Sequence, residues 1–286
     1  MMNWSQAFYQ TKEQLSPLYD PAEAAAVAHM LLEQISGMSK MERLMQKDGL
    51  LDASQEFRLE TAVQQLRKAT PIQYILGEAW FLERRFVVNP SVLIPRPETE
   101  ELVLWIVQDF GDKAPAILDI GTGSGCIPIS LKKEIPAATV EACDISPGAL
   151  KTARENAAYL DADVTFKKID ILSPEAASLM GMYDVIVSNP PYIPEREAAG
   201  MHANVTGHEP HIALFVKDDD PLLFYRNIAQ KAMTRLKDGG CLYFEIHCDF
   251  MPQTRDLLQS LGYTHITPRR DMHDNWRMIR AGLQTR

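Results

Sequence analysis

Ala116-Ile117-Leu118-Asp119-Ile120-Gly121-Thr122-Gly123-Ser124-Gly125 joins a short apolar run to a glycine-rich loop, and a helical pattern over 126–134 follows directly. Strand, glycine loop and helix in that order form the first half of a βαβ unit. The glycines are spaced Gly-x-Gly-x-Gly, which differs from the Gly-x-Gly-x-x-Gly spacing that lays a pyrophosphate on a helix N-terminus. Glycines let the backbone approach a ligand without side-chain interference. The loop therefore points to a nucleoside-containing cofactor, the alternative being a tight turn that binds nothing.

The alternation continues on both sides of this loop. Strand candidates are 116–120, 139–143, 164–168, 184–188, 241–246 and 264–267; helix candidates are 98–110, 126–134, 147–159, 221–236 and 250–261. Such an alternation predicts an α/β domain, with helices on both faces of a mostly parallel sheet. Ligands in that architecture bind beyond the carboxyl ends of the strands. The second strand runs into Asp144, where a carboxylate can accept both hydrogens of a ribose diol or cap the helix opened by Ser146-Pro147. Asp170, after the third strand, can hold an amino group of a base or cap the turn at Ile171-Leu172-Ser173.

After the strand Asp184-Val185-Ile186-Val187-Ser188 comes Asn189-Pro190-Pro191-Tyr192. The two prolines stiffen the chain and carry no amide hydrogen, which leaves neighbouring carbonyls free to accept from a ligand. Asn189 adds a side-chain carbonyl and an amide, and Tyr192 adds an aromatic face. The set suits the grip of a planar nitrogen group whose hydrogens must be aimed. A rigid strand-to-loop turn with a packed tyrosine is the plainer alternative.

The chain before this domain is helical in pattern. Asp20-Pro21-Ala22-Glu23 opens a helix that stops at Gly37, and Asp52-Ala53-Ser54-Gln55 opens another whose Leu59, Ala62, Val63 and Leu66 share one face. With helices near 4–15 and 40–46 this makes a small bundle over 1–69. Residues 70–97, punctuated by Pro71, Gly77, Asn89-Pro90, Pro95 and Pro97, suit a hairpin or extended linker, and the α/β domain takes 98–286.

Composition sets outer bounds. The 286 residues carry 29 Lys plus Arg against 38 Asp plus Glu, a net charge of −9. The balance excludes disordered, collagen-like and disulfide-stapled classes, and it weighs against a surface that tracks nucleic acid throughout. Cys126, Cys143, Cys241 and Cys248 show no Cys-x-x-Cys spacing and read as buried apolar groups in a reducing compartment. The start MMNWSQAFYQTKEQ lacks a signal-peptide pattern, and no apolar run is long enough to span a membrane, so a cytoplasmic location is expected.

The glycine loop, the acid at the second strand tip and the Asn-Pro-Pro-Tyr tetrad resemble S-adenosylmethionine-dependent methyltransferases of planar amino or amide nitrogens. Leu93-Ile94-Pro95-Arg96-Pro97-Glu98-Thr99-Glu100 and Glu209-Pro210-His211-Ile212-Ala213-Leu214 narrow the likeness to the HemK family, the glutamine methyltransferases of peptide chain release factors. The resemblance implies a Rossmann-like methyltransferase domain preceded by a helical domain, and that helical domain is expected to dock the protein substrate. It implies that Asp119, Gly121, Thr122, Gly123, Ser124, Gly125, Asp144, Asp170, Ile171 and Asn189 surround S-adenosylmethionine. It further implies that Asn189, Pro190, Pro191 and Tyr192 bind the substrate, with Asn189 and the Pro190 carbonyl accepting the hydrogens of a glutamine amide and Tyr192 lying against it. The target so implied is the glutamine of the Gly-Gly-Gln motif in release factors. A glutamine in a ribosomal protein or an exocyclic amine of a nucleic acid base would suit the tetrad as well, and a cofactor-binding module without turnover is the reading from another class. The expected protein is a monomer with no metal, no membrane partner and no direct nucleic-acid binding. Two places depart from the family pattern: His208, with an extra residue before Glu209-Pro210, and His247 after Glu245-Ile246.

Other residues take structural readings. His202, His208 and His211 lack zinc spacing. Asp220 is expected to cap the helix after Pro221, Met38, Met41 and Met45 to face the bundle core, and Glu98 and Glu100 to brace the linker. Arg96 fits either the brace or the rim of the site.

Overall fold

The computed structural model describes residues 2–283 and contains two compact units. One unit is the chain through Gly77 together with His202–His208; the other is Glu78–Met201 and the chain from Glu209 onward.

The first unit holds α1 (Trp4–Leu15), α2 (Pro21–Ser36), α3 (Lys40–Met45), α4 (Ala53–Arg67) and the short α5 (Ile72–Leu76). Local chemistry sets their ends. Asn3 and Gln6 cap α1 reciprocally, Asp20 Oδ1 accepts from the amides of Ala22 and Glu23 at 2.8 and 3.0 Å, and Asp52 with Gln55 repeats the reciprocal cap on α4. Leu15, Leu31, Leu32, Leu51 and Leu66 form the dry centre. Met38 packs against it, but Met41 and Met45 are 67% and 81% exposed, contrary to the core position expected for them. The six-residue α3 has room to bury little, and its inward group is Arg43, which donates to the Met38 carbonyl. Segment 202–208 brings α9 (Ala203–Thr206) into this unit, with His208 Nε2 2.9 Å from the Lys68 carbonyl oxygen.

The second unit opens with the hairpin β1 (Glu78–Phe81) and β2 (Arg84–Val87), turned through Leu82 and Glu83 at positive φ. Then follow α6 (Pro97–Phe110), β3 (Ala116–Ile120), α7 (Cys126–Glu134), β4 (Thr139–Asp144), α8 (Pro147–Tyr159), β5 (Val164–Lys168) and β6 (Tyr183–Ser188). The chain continues through β7 (Ile193–Pro194), β8 (Phe215–Val216), α10 (Leu223–Ala232), β9 (Leu236–Glu245), α11 (Met251–Ser260), β10 (Thr264–Arg270) and β11 (Trp276–Gly282). The main sheet has the order β10-β11-β9-β6-β3-β4-β5; neighbours from β9 to β5 are parallel, and β11 runs antiparallel to both of its partners. This is the mostly parallel sheet that the alternation of strands and helices predicts. Two apolar clusters cover its faces, one around Tyr225 and Phe244, the other around Trp105, Ile106 and Tyr243.

Three expectations are corrected. The strand β11 was not anticipated, because Arg277 and Arg280 interrupt its apolar run; Arg277 is held by Asp271 at 3.0 Å and Arg280 by Asp109 at 2.7 Å. The helix expected over 221–236 is shorter, since Leu236 already pairs with Tyr183 as the first residue of β9. Asp220 does not cap that helix with its side chain, for both its oxygens accept from Arg226 at 2.7 and 3.0 Å.

Candidate active site

The chain leaves β3 at the centre of the sheet, builds β4 and β5 to one side, then returns to place β6 on the other. Adjacent carboxyl ends that diverge in this way open a crevice. A cleft lies there, walled by Gly121 after β3, Asp144, Ile145 and Ser146 after β4, Ile169 to Leu172 after β5, and Ser188 to Pro191 after β6. Ser91, Leu93, Pro210, Ile212 and Ala213 line it too, with Phe224 and Ile228 of α10.

The glycine loop is tied to the neighbouring strand by the amides of Gly121 and Thr122, both donating to the Cys143 carbonyl at 2.9 and 3.0 Å. Gly121 and Gly123 take positive φ with open space where a Cβ would stand. At Gly125 a Cβ would meet Ile129 and Ala153 at 2.9 and 3.1 Å, so glycine there lets the loop lie close to α7 and α8. Asn156, buried on α8, donates to the carbonyls of Ser124 and Val87 at 2.9 Å and accepts from the Val87 amide at 2.7 Å, so it ties the loop to the hairpin.

The cap of α8 is Ser146, which accepts from the Ala149 amide, while Asp144 bonds to the chain through both oxygens. Oδ1 accepts from the Ser146 amide at 2.8 Å, and Oδ2 accepts from the Gly123 amide at 3.0 Å. A carboxylate has about four lone-pair positions, so acceptor capacity remains for a diol. Burial pushes its carboxyl above the usual carboxylate range. Asp170 Oδ1 accepts from the Leu172 amide at 2.9 Å and so shapes the turn, while the residue also lines the cleft. Asp119 is wholly buried at the end of β3 with neither oxygen hydrogen-bonded, and burial pushes its carboxyl up to about 7. The hydroxyls of Thr122 and Ser124 are likewise buried and unpartnered.

Across the cleft, Asn189 Nδ2 donates to Thr99 Oγ1 at 3.2 Å, and Thr99 Oγ1 donates to Glu245 Oε2 at 2.6 Å. Tyr192 donates to Glu245 Oε1 at 2.9 Å and sets its ring edge-on to His247. Of the residues singled out from sequence, Gly121, Asp144, Asp170, Ile171, Asn189, Pro190 and Pro191 line the cleft. Asp119, Thr122, Gly123, Ser124, Gly125 and Tyr192 are not among the lining residues.

Glu209 explains how two distant segments act together. Its Oε2 accepts from the Ile94 amide at 3.1 Å and its Oε1 pairs with Arg96, so 93–100 is clasped to 209–214. Arg96 is thus the brace. Glu100 accepts from the Leu82 amide at 2.8 Å. Glu245, Thr99 and Asn156 were missed as site residues, and so were Phe224 and Ile228. For Phe224 and Ile228 no sequence signal existed beyond an apolar helix face. For Thr99 and Glu245 the signal was a polar residue inside an apolar helix face and another at the tip of an apolar strand.

The methyltransferase small domain family model matches residues 101–206, and the PrmC N-terminal domain model matches residues 6–77. A release factor glutamine methyltransferase of Flavobacterium psychrophilum is 43% identical over 274 residues, covering 94% of this chain and 95% of the relative. One from Bacteroides thetaiotaomicron is 44% identical over 271 residues, covering 94% and 96%. Among solved structures, a methyltransferase from Pyrococcus furiosus superposes with a TM-score of 0.51 at 15% identity, covering 82% of this chain and 100% of that one, a likeness of fold.

Proposed function

The chain belongs to the release factor glutamine methyltransferases, and from that premise we propose that the cleft between Asp144 and Asn189 is where it joins cofactor to target amide. The protein methylates the side-chain nitrogen of a release factor glutamine with S-adenosylmethionine as donor. The observation that carries the site assignment is the Asn189 side chain at the cleft wall, its Nδ2 committed to Thr99 and its oxygen left to accept.

The residues present fit the cofactor. The spare acceptor positions of Asp144 suit the ribose diol, Ile145, Ile171 and Leu172 offer an apolar wall for adenine, and the orphaned carboxyl of Asp119 suits the ammonium of the methionine portion. S-adenosylmethionine supplies an electrophilic methyl group on a sulfonium.

The remaining work falls to the chain. An amide nitrogen is a poor nucleophile because its lone pair is delocalised into the carbonyl. Asn189 Oδ1 and the Pro190 carbonyl accept the two hydrogens of the target amide and fix the direction of that lone pair. Acceptors already in place when positive charge develops on nitrogen stabilise it without reorganisation. The Pro190-Pro191 pair holds this geometry, since neither residue has an amide hydrogen to donate and both have a fixed φ. The proton released afterwards is acidic enough to pass to solvent, so no residue is assigned as base.

The helical unit is proposed to dock the release factor. Tyr9, Met41, Met45 and Phe57 are each more than 60% exposed on it, an apolar presentation suited to a protein partner. The target residue is proposed to be the glutamine of the Gly-Gly-Gln motif. Transfer of labelled methyl to purified release factor, followed by mapping of the labelled residue, tests this; label on another residue, or on nucleic acid, would overturn it.

A further inference from the structure

An asparagine side chain has nearly the same shape either way round, so hydrogen bonding decides whether oxygen or nitrogen faces the cleft. Behind Asn189 that decision passes along two buried groups, Thr99 and Glu245. Thr99 is 3% exposed and Glu245 1%, so solvent does not compete for their hydrogen bonds. A threonine hydroxyl has one hydrogen. Glu245, when ionised, takes that hydrogen at Oε2 across 2.6 Å, and Thr99 Oγ1 is left able only to accept. Asn189 must then present Nδ2 to Thr99, as it does at 3.2 Å, and Oδ1 to the cleft. The other oxygen of Glu245 takes the Tyr192 hydroxyl hydrogen at 2.9 Å. We infer that Glu245 and Thr99 are positioning residues for the methyl transfer: a one-way hydrogen-bond relay from carboxylate through hydroxyl to amide sets the acceptor face of Asn189 toward the target glutamine. The inference rests on the assignment of Asn189 as an acceptor for that glutamine.

The relay has a direction because the hydroxyl hydrogens of Thr99 and Tyr192 are both committed to Glu245. A proton placed on Glu245 Oε2, the oxygen that faces Thr99, reverses it. The carboxyl then donates to Thr99, Thr99 turns its hydrogen toward Asn189, and Asn189 must offer Oδ1 inward and Nδ2 to the cleft. Two sets of amide hydrogens would face each other there. Burial raises the pKa of Glu245 above the ordinary carboxylate value. The charged and titratable groups facing it are Arg277 on β11, which favours the ionised form, and Glu98 on α6, which opposes it; Tyr192, Tyr225 and Cys126 also feel its charge. Turnover therefore needs Glu245 ionised, and kcat falls as pH drops through its raised pKa.

Thr99→Val removes the hydroxyl at nearly constant volume, and Thr99→Ser keeps it. With release factor as substrate, Thr99→Val is expected to lower kcat about 10- to 100-fold, the scale of a misaimed catalytic group. Its affinity for S-adenosylmethionine, measured by calorimetry, should stay within about twofold of native, because Thr99 bonds to none of the Asp144 side of the cleft. Thr99→Ser should restore kcat to within about threefold of native. The acid limb of kcat, present in the native protein and in Thr99→Ser, should flatten in Thr99→Val. Native kcat in Thr99→Val, or equal losses in both variants, overturns the relay. So does a native kcat that stays constant from neutral pH to below the ordinary carboxylate range, a measurement that needs no variant. Asn189→Ala separates the two levels: if it keeps native kcat, the acceptor assignment itself fails, whereas an inactive Asn189→Ala beside an undisturbed Thr99→Val overturns the relay alone.

Discussion

The two walls of the cleft are built differently. On the Asp144 side the groups that shape the site are near one another in the chain: Asp144 with Ser146, Asp170 with Leu172, and Gly123 one βαβ unit before Asp144. On the Asn189 side the contacts join distant segments, Thr99 to Asn189, Thr99 to Glu245 and Tyr192 to Glu245. A wall made of turns needs little besides its own residues to keep its shape. A wall assembled from α6, the end of β9 and the loop after β6 depends on the tertiary packing of all three. In the proposed function the first side binds a ligand of fixed structure and the second aims one weak nucleophile, a task for which buried buttressing is suited.

Substitutions on the two walls should separate turnover from cofactor affinity. The largest effect is expected for Asn189→Ala, a fall in kcat of about 100- to 1,000-fold, the scale of losing one preorganised acceptor. Cofactor affinity should stay near native, and a matching loss of affinity in a calorimetric titration would erase the contrast between the walls. Asp144→Ala should do the reverse. Loss of a carboxylate hydrogen-bonded to a diol weakens cofactor binding about 10- to 100-fold, and kcat at saturating cofactor should be close to native.

Asp119 tests whether the Asp144 side tolerates strain for binding. Its folded pKa of about 7 lies above the ordinary aspartate value, so the folded state holds a proton that the unfolded chain has released. Stability from this group is present below the unfolded pKa and is lost as pH rises toward and through about 7. Asp119→Asn removes that loss. Its melting temperature should exceed native by several degrees at pH 8 and by little at pH 4, while its affinity for S-adenosylmethionine falls. A gain that does not depend on pH would show that burial of the charge is not what strains the site. The smallest effect is expected on the helical unit. Met41→Glu with Met45→Glu should raise KM for the release factor a few-fold and leave kcat unchanged, as for loss of docking contacts made equally before and during reaction. An unaltered KM would remove these methionines from the docking surface.

Legibility in the sequence follows the same division. Asp119 to Gly125, Asp144 and Asn189-Pro190-Pro191-Tyr192 are short patterns whose chemistry is local, and the sheet that carries them was readable from alternating apolar strands and helices. The capping residues Asp20 and Asp52 were readable for the same reason, since a cap bonds to amides two or three residues away. Glu209 and Glu245 were not, because a carboxylate in sequence carries no sign of which distant segment it will meet. Met41 and Met45 show the converse error: helical spacing says that side chains share a face, and only packing says whether another element covers it.

The elements, the glycine loop and the Asn-Pro-Pro-Tyr turn follow from backbone freedom, periodicity and contacts a few residues long, all of them local. Which way Asn189 faces follows from long-range packing. That choice is made by a threonine and a buried glutamate far from it in the chain, brought beside it when α6 packs on the sheet and β9 pairs with β6. In a site from which solvent is excluded, one committed hydrogen is enough to set the orientation of the next group.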